Sequence, residues 1–371
     1  MLNWRKETTL KSLCVDAKEK INVEDLNDET YISTENMIVN RGGITKATSL
    51  PTISKVSKIY PWDVLFSNIR TYFKKLHLSD FIWWCSNDVL IFRPNENVDS
   101  KFLFYSLSQE SFFDYTIKTS KWTKMPRWDK KAIDNYIINL PPINEQRRIA
   151  GVLSSLDDKI KLNNQINHNL YDIWDKLYNE YYKDLKPWYK IVSLKEVSNN
   201  FDSKRKPMSS REREKHKWIY PYYWATSIID YVDDYIFDWI YLLIWEDWTV
   251  MTDEWTPVLQ YIWWKNRINN HAHVLQWSNI STEHLFFALR TINIKSLITW
   301  AVQLKLNQEN MNKISFILWT DEINSKFEEK ISVIMKKIKN NLVENEKLAN
   351  IRDTLLPKLM NWEINLDNVT I

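Results

Sequence analysis

Ile149-Ala150-Gly151-Val152-Leu153-Ser154-Ser155-Leu156-Asp157-Asp158-Lys159-Ile160-Lys161-Leu162-Asn163-Asn164-Gln165-Ile166-Asn167 is the stretch whose spacing reveals how the chain is built. Ile149, Leu153, Leu156, Ile160, Asn163 and Asn167 continue into Leu170, Trp174 and Leu177 at alternating spacings of four and three residues. That is the seam of a long heptad helix. It starts just after Pro141-Pro142, with Asn144 expected as the N-cap. A second seam runs through Phe327, Ile331, Ile334, Ile338, Asn341, Asn345, Leu348, Arg352 and Leu355, and Pro357 is expected to stop it. Each position lies 178 residues after its counterpart, as Phe327 does from Ile149 and Asn341 from Asn163.

The segments before the helices share this offset. Trp122-Thr123-Lys124-Met125-Pro126-Arg127 precedes the first helix, and Trp300-Ala301-Val302-Gln303-Leu304-Lys305 precedes the second. The chain therefore reads as an internal duplication. Short apolar runs such as Asp88-Val89-Leu90-Ile91-Phe92 and Ile240-Tyr241-Leu242-Leu243-Ile244 read as strands with some helix between them. The fold class expected is α+β: two tandem globular domains with pseudo-two-fold symmetry, separated by two long helices in an antiparallel coiled coil. The boundaries expected are residues 1–142 for the first domain, 143–183 for the central helix, 184–318 for the second domain and 319–371 for the C-terminal helix and tail. The linker around Lys186-Pro187 is expected to be exposed.

Antiparallel helices bring Asn163 and Asn167 towards Asn341 and Asn345. Buried amides in a seam fix register at some cost in stability, which suits a part that holds a distance. A helix of about 35 residues spans roughly 50 Å, and a DNA turn repeats at about 34–36 Å. The plainer alternative is a core-packing helix pair with its asparagines on a wet edge.

Composition sets limits. The 371 residues are enough for two or three domains with cores of their own. No run of about 18 apolar residues suggests a bilayer span, and the charged stretch Met1 to Leu10 does not read as a secretory signal. Cys14 and Cys85 are the only cysteines, a usage that suits a reducing cytoplasm and small buried hydrophobes. Lys and Arg number 50 against 47 Asp and Glu, so any basic surface must be local.

Glycine and tryptophan are out of proportion. There are 3 glycines (Gly42, Gly43, Gly151) and 20 tryptophans, where average usage of about 7% predicts roughly 26 glycines. Trp62 sits in Pro61-Trp62-Asp63; Trp245-Glu246-Asp247-Trp248 and Asp253-Glu254-Trp255-Thr256-Pro257 read as tight turns. Trp83-Trp84 and Trp263-Trp264 make better sense as paired glycines. The reading is that most of these positions are glycine in the source cell, which decodes UGA as glycine. The alternative is a Trp-rich protein whose indoles stack on bases or fill the core.

Catalytic patterns are thin. A methyltransferase needs a glycine-rich cofactor loop and an Asn/Asp-Pro-Pro-aromatic motif, and Leu140-Pro141-Pro142-Ile143 lacks the amide or carboxylate. The nuclease-like triplets Asp16-Ala17-Lys18, Asp157-Asp158-Lys159 and Glu328-Glu329-Lys330 are common by chance, and the last two lie on the long helices. His271-Ala272-His273 lacks a third ligand at metal spacing and reads as a hydrogen-bonded strand or loop.

Basic residues near turns are better candidates. In the first half these are Arg70, Lys74, Lys75, Lys124 and Arg127. In the second they are Lys204-Arg205-Lys206, Arg211, Arg213, Lys215 and Lys217, then Lys265-Asn266-Arg267-Ile268-Asn269-Asn270, and Lys305. Lys and Arg neutralise phosphates, and Arg and Asn make bidentate contacts to guanine and adenine. Replacing Arg127 or Lys305 is expected to weaken DNA binding. Singly, each residue also fits an exposed solubilising charge.

At this point the residues resemble a family. Ile137-Ile138-Asn139-Leu140-Pro141-Pro142-Ile143-Asn144-Glu145-Gln146-Arg147-Arg148-Ile149-Ala150, running to Ile160, resembles the central helix of type I restriction-modification specificity subunits. Leu355-Leu356-Pro357-Lys358-Leu359-Met360-Asn361-Trp362 resembles the end of the family's second helix, with glycine usual at the place of Trp362. Trp122 to Arg127 resembles the Gly-Thr-x-Met-Pro-Arg that closes a target-recognition domain. Tyr222-Tyr223-Trp224-Ala225-Thr226 and Asn269 to Leu275 resemble parts of the second domain, with glycine expected at Trp224 and Trp277. The resemblance implies a non-catalytic chain whose halves each read part of a split double-stranded DNA site. It also implies helices that set the spacing and dock two methyltransferase subunits, with restriction subunits joining that core. S-adenosylmethionine, ATP and Mg would then belong to the partners, and none to this chain. Two other classes stand beside it: a coiled-coil adaptor gripping protein, and a stand-alone DNA-modifying enzyme relic.

Overall fold

The computed structural model describes residues 6–119, 130–184, 189–224, 227–278, 281–300 and 303–366. The chain forms two compact units, Met1–Leu162 with Glu344–Ile371, and Asn163–Val343. The division falls inside both long helices, Ile143–Asp184 and Asp321–Met360. Each unit thus holds one globular half and a segment of each helix.

In the first unit an antiparallel four-stranded sheet runs in the spatial order Cys14–Val15, Val89–Pro94, Val64–Ser67, Leu76–Leu78. A second sheet orders Lys20–Asn22, Lys55–Ile59, Trp83–Cys85 and Tyr31–Ile32, its last pair parallel. Lys6–Thr9 pairs with Ile137–Leu140, so the start of the half is fastened just ahead of the long helix. Phe66, Phe102, Leu103, Phe112 and Phe113 fill the core together with Ile149 and Leu153 of the first helix and Leu356 and Leu359 of the second.

The second unit repeats this plan. Its antiparallel four-stranded sheet runs Ser198–Asn200, Ala272–Trp277, Tyr241–Trp245, Leu259–Ile262, the same first-last-second-third order. Tyr189–Ser193 pairs with Ser315–Trp319 ahead of the second helix, as Lys6–Thr9 does with Ile137–Leu140. Helix Ser100–Leu107, capped by Asp99, has its counterpart in Thr282–Leu289, capped by Ser281. The duplication seen in the spacing is a duplication of architecture, and the fold is the α+β tandem arrangement expected.

Within each unit the helix segments pair antiparallel. In the first, Arg352 donates to Asp157 at 2.5 Å and Lys159 meets Glu344 at 3.5 Å. In the second, Asn341 Nδ2 donates to Asn167 Oδ1 at 2.8 Å, and the Trp174 and Phe327 rings lie 4.6 Å apart. Asn163, Asn167 and Asn341 are all buried, so these three amides belong to the seam and not to a wet edge, whereas Asn345 is only half-buried.

Three details of the helices differ from the sequence reading. Leu177 is exposed and Tyr178 takes the inward place, because 3.6 residues per turn drift against a strict heptad where the helix packs on a globular core. The first helix begins at Ile143, not after an Asn144 cap: the Pro142 carbonyl already accepts from Glu145 and Gln146. Pro357 lies inside the second helix, which runs on to Met360. Pro357 and Asp353 both face solvent, so water can take the carbonyl that the missing N–H leaves.

Candidate nucleic-acid interface

A polar cluster organises one end of the second unit's main sheet. The short helical turn Asp202–Lys204 places Asp202 over the strand Ala272–Trp277, where its carboxylate accepts from Val274 N at 2.8 Å and lies 2.6 Å from His273 Nδ1. The other His273 nitrogen lies 2.9 Å from the Leu306 carbonyl. Arg205 donates to the carbonyl of Ala272 at 2.6 Å and pairs with Glu246 at 3.3 Å. Lys305 pairs with Glu246 at 3.2 Å and Asp247 at 3.3 Å, and Asp247 reaches His271 at 3.1 Å. The Trp224 ring packs 4.5 Å from that of His271.

The charges sustain one another. Burial pushes the His273 imidazole pKa down, but the hydrogen bond to Asp202, that carboxylate's charge, the Leu306 carbonyl and Glu246 together hold it above its ordinary value. Burial pushes Asp202 up, and His273, Val274 N–H and Arg205 outweigh it, leaving the carboxyl below its usual range. Asp247 is lowered and Lys305 raised for the same reason: burial opposes the charges and their mutual hydrogen bonds overcome it. His271, in the turn ahead of the strand, and His273, within it, are thus both hydrogen-bonded to carboxylates, and among the described residues no group of three or more acidic, His or Cys side chains could hold a metal.

The candidate basic residues fall into two sets. Arg205, Arg213, Arg267, Lys74 and Lys305 are engaged: Arg213 with Asp230 and the Met208 carbonyl, Arg267 with Asp234 and the Lys206 carbonyl, Lys74 with Glu110 at 2.6 Å. Lys75 donates to the Thr34 carbonyl at 2.6 Å, and burial lowers its pKa. Asn269 is buried with its side-chain oxygen accepting from Asn270 N. Arg70, Lys204, Lys206, Arg211, Lys215, Lys217 and Asn270 are exposed, and Lys265 lies half-buried over the Tyr235 ring at 4.6 Å. Lys204 and Lys206 lie on the segment that leads into the capped helix Ser210–Lys215, and Arg211 lies in the first turn of that helix. Lys124 and Arg127, with the linker at Lys186-Pro187, lie outside the described residues.

Both thiols behave as expected. Cys85 is buried and Cys14 partly so, both free, and burial pushes each thiol up to about 12.

Residues 2–171 match the family of the type I restriction modification DNA specificity domain. The type I restriction enzyme HindI specificity subunit of Haemophilus influenzae is 26% identical over 198 residues, covering 50% of this chain and 42% of that one. The chain thus spans less than half the length of that relative. The MjaIX specificity subunit of Methanocaldococcus jannaschii is 24% identical over 311 residues, covering 74% of this chain and 72% of its own. The solved type I restriction-modification S subunit of M. genitalium shares the fold, with 17% identity, 97% of both chains covered and a TM-score of 0.51.

Over residues 2–171 the chain is similar to the type I restriction modification DNA specificity domain. In this chain the helix-start motif Asn144-Glu145-Gln146 has a mechanical use that spacing did not reveal. Gln146, fully buried, accepts from Asp99 N at 2.8 Å and donates to the carbonyls of Pro141 at 2.8 Å and Asn97 at 3.1 Å, locking the long helix to the first globular half. The carboxylates Asp202, Glu246 and Asp247 also went unseen, because their partners come from distant segments. Arg352 did give a signal: a charge in an apolar seam requires a partner across it, and Asp157 is that partner.

Proposed function

We propose that the chain reads DNA sequence for a type I restriction-modification complex and catalyses no bond change itself. The observation that carries this reading is the repetition: two globular halves whose main sheets share one strand order, each packed on its own segments of the two long helices. One half reads one part of a split duplex site, and the helix pair sets the gap. Exposed Lys204, Lys206 and Arg211 in the second half, and Arg70 in the first, meet phosphates, and exposed Asn270 meets a base edge. Asp202, Glu246 and Asp247 are committed to His273, Arg205 and Lys305, which supports a scaffold and not an acid-base site. The partners are double-stranded DNA, two methyltransferase subunits and restriction subunits; S-adenosylmethionine, ATP and Mg act in those partners.

The test is to lengthen both long helices by one heptad at the unit boundary and map the sites methylated by the reconstituted complex. The expected result is the same two half-sites with a wider gap. An unchanged gap with altered affinity would remove the spacer role, and recovery of a protein ligand with no salt-sensitive duplex binding would favour an adaptor.

A further inference from the structure

We propose that the polypeptide made in its own cell carries glycine at Trp62, Trp248, Trp255, Trp264 and Trp362, the codon UGA being read there as glycine. This inference is independent of what the chain binds. All five residues have positive φ, from 62° to 87°, the left-handed region where a Cβ crowds the following carbonyl. Among the described residues nine non-glycine positions have positive φ, and five are tryptophan. Tryptophan makes up 20 of the 371 residues, so an even spread would place fewer than one there.

Three of the five occupy slots that define a turn type. In Tyr60-Pro61-Trp62-Asp63, Asp63 N donates to the Tyr60 carbonyl at 3.2 Å, with proline second and φ of 74° third. That is a type II turn, whose third place is the glycine place. In Thr252 to Thr256, Trp255 N donates to Thr252 O at 3.0 Å and Thr252 N to Thr256 O at 2.8 Å, with φ of 65° at Trp255. That is a three-residue hairpin loop whose last residue is the left-handed glycine of a bulge. At the end of the second long helix, Trp362 N donates to Leu359 O at 3.3 Å and Glu363 N to Lys358 O at 2.8 Å, with φ of 62°. This pair of bonds is a Schellman motif, and Trp362 stands at its glycine position.

The indoles offer no packing in return at the outer sites: Trp62 is 52% exposed, Trp248 66% and Trp264 64%. Base stacking would explain an exposed ring but not its recurrence in the backbone slots of three unrelated turns. Other tryptophans are of a different kind. Trp174 is buried in a helix between Phe287 and Phe327, at 4.7 and 4.6 Å, and Trp319 is buried beside Phe327. These read as true tryptophan. Trp83, Trp84, Trp224, Trp245, Trp263 and Trp277 have no positive φ, so their backbone does not demand glycine.

The experiment is peptide mass spectrometry on the protein purified from its source cells, paired with the codons of the gene. Glycine at the five positions on UGA codons, with tryptophan at Trp174 on UGG, is the expected result. Tryptophan at Trp62, Trp255 and Trp362, or UGG at those codons, overturns the proposal. Recombinant chain gives a second reading. The combined variant W62G, W248G, W255G, W264G and W362G should melt roughly 5 °C or more above the all-tryptophan chain, and a lower melting temperature would count against it.

Discussion

His273 sits between Asp202 and the Leu306 carbonyl with its pKa held above the ordinary imidazole value. In the unfolded chain that pKa is about 6.5. A raised folded value means the stabilisation is fully present below about pH 6.5 and is lost as pH rises through the folded pKa. His284 and His77 are depressed by burial and act in the opposite sense, so the comparison must be with a variant. Chemical denaturation of wild type and His273→Gln should show the wild-type advantage shrinking above about pH 6.5; a difference constant with pH would show that the imidazole is not charged. Asn341 is the second residue-scale case. Asn341→Ala removes the donor to Asn167 Oδ1 in a buried seam and should cost about 1–3 kcal/mol. The double Leu variant at Asn167 and Asn341 should recover that loss. A neutral Asn341→Ala would mean water enters the seam. The asparagine pairing was legible because a heptad fixes which side chains face each other. Lys305 read as a free cation because its carboxylate partners, Glu246 and Asp247, are not neighbours in sequence; Arg205 pairs with distant Glu246 and also with Asp202, three residues before it.

At the scale of elements, the two long helices were legible almost to the residue, since a 3.6-residue period needs only the local sequence. Their ends were not. Pro142 and Pro357 changed the termini because capping depends on where each carbonyl finds a donor, or water. Strands were recognisable as apolar runs, but which sheet each joins depends on long-range pairing that no period records. The Asp157 carboxylate ties three elements together, accepting from Tyr105 of a globular-half helix at 2.6 Å and from Arg352 of the second long helix. Asp157→Ala should therefore destabilise the first unit by about 2–3 kcal/mol, measured by denaturation, because Arg352 is left partly buried without its cross-helix partner. A loss below about 0.5 kcal/mol would place this pair with ordinary surface bridges. The exposed segment Lys204 to Arg211 gives a binding counterpart. Glutamine at Lys204, Lys206 and Arg211 should lower the slope of log affinity against log salt by about 0.9 for each phosphate that is no longer neutralised. An unchanged slope would show that other cations meet the phosphates.

For the whole molecule, the duplication is the organising fact. A 178-residue offset in the sequence corresponds to a repeated sheet order, a repeated capped helix and a repeated strand pair ahead of each long helix. Repetition of a whole recognition unit predicts repetition in what is recognised. The most direct measurement is selection of duplexes from a randomised library by the chain assembled with the methyltransferase subunits proposed as its partners, followed by sequencing of the bound fraction. Two short defined blocks separated by a fixed, unread gap is the predicted result. A single contiguous motif, or no enrichment over the starting library, would contradict it.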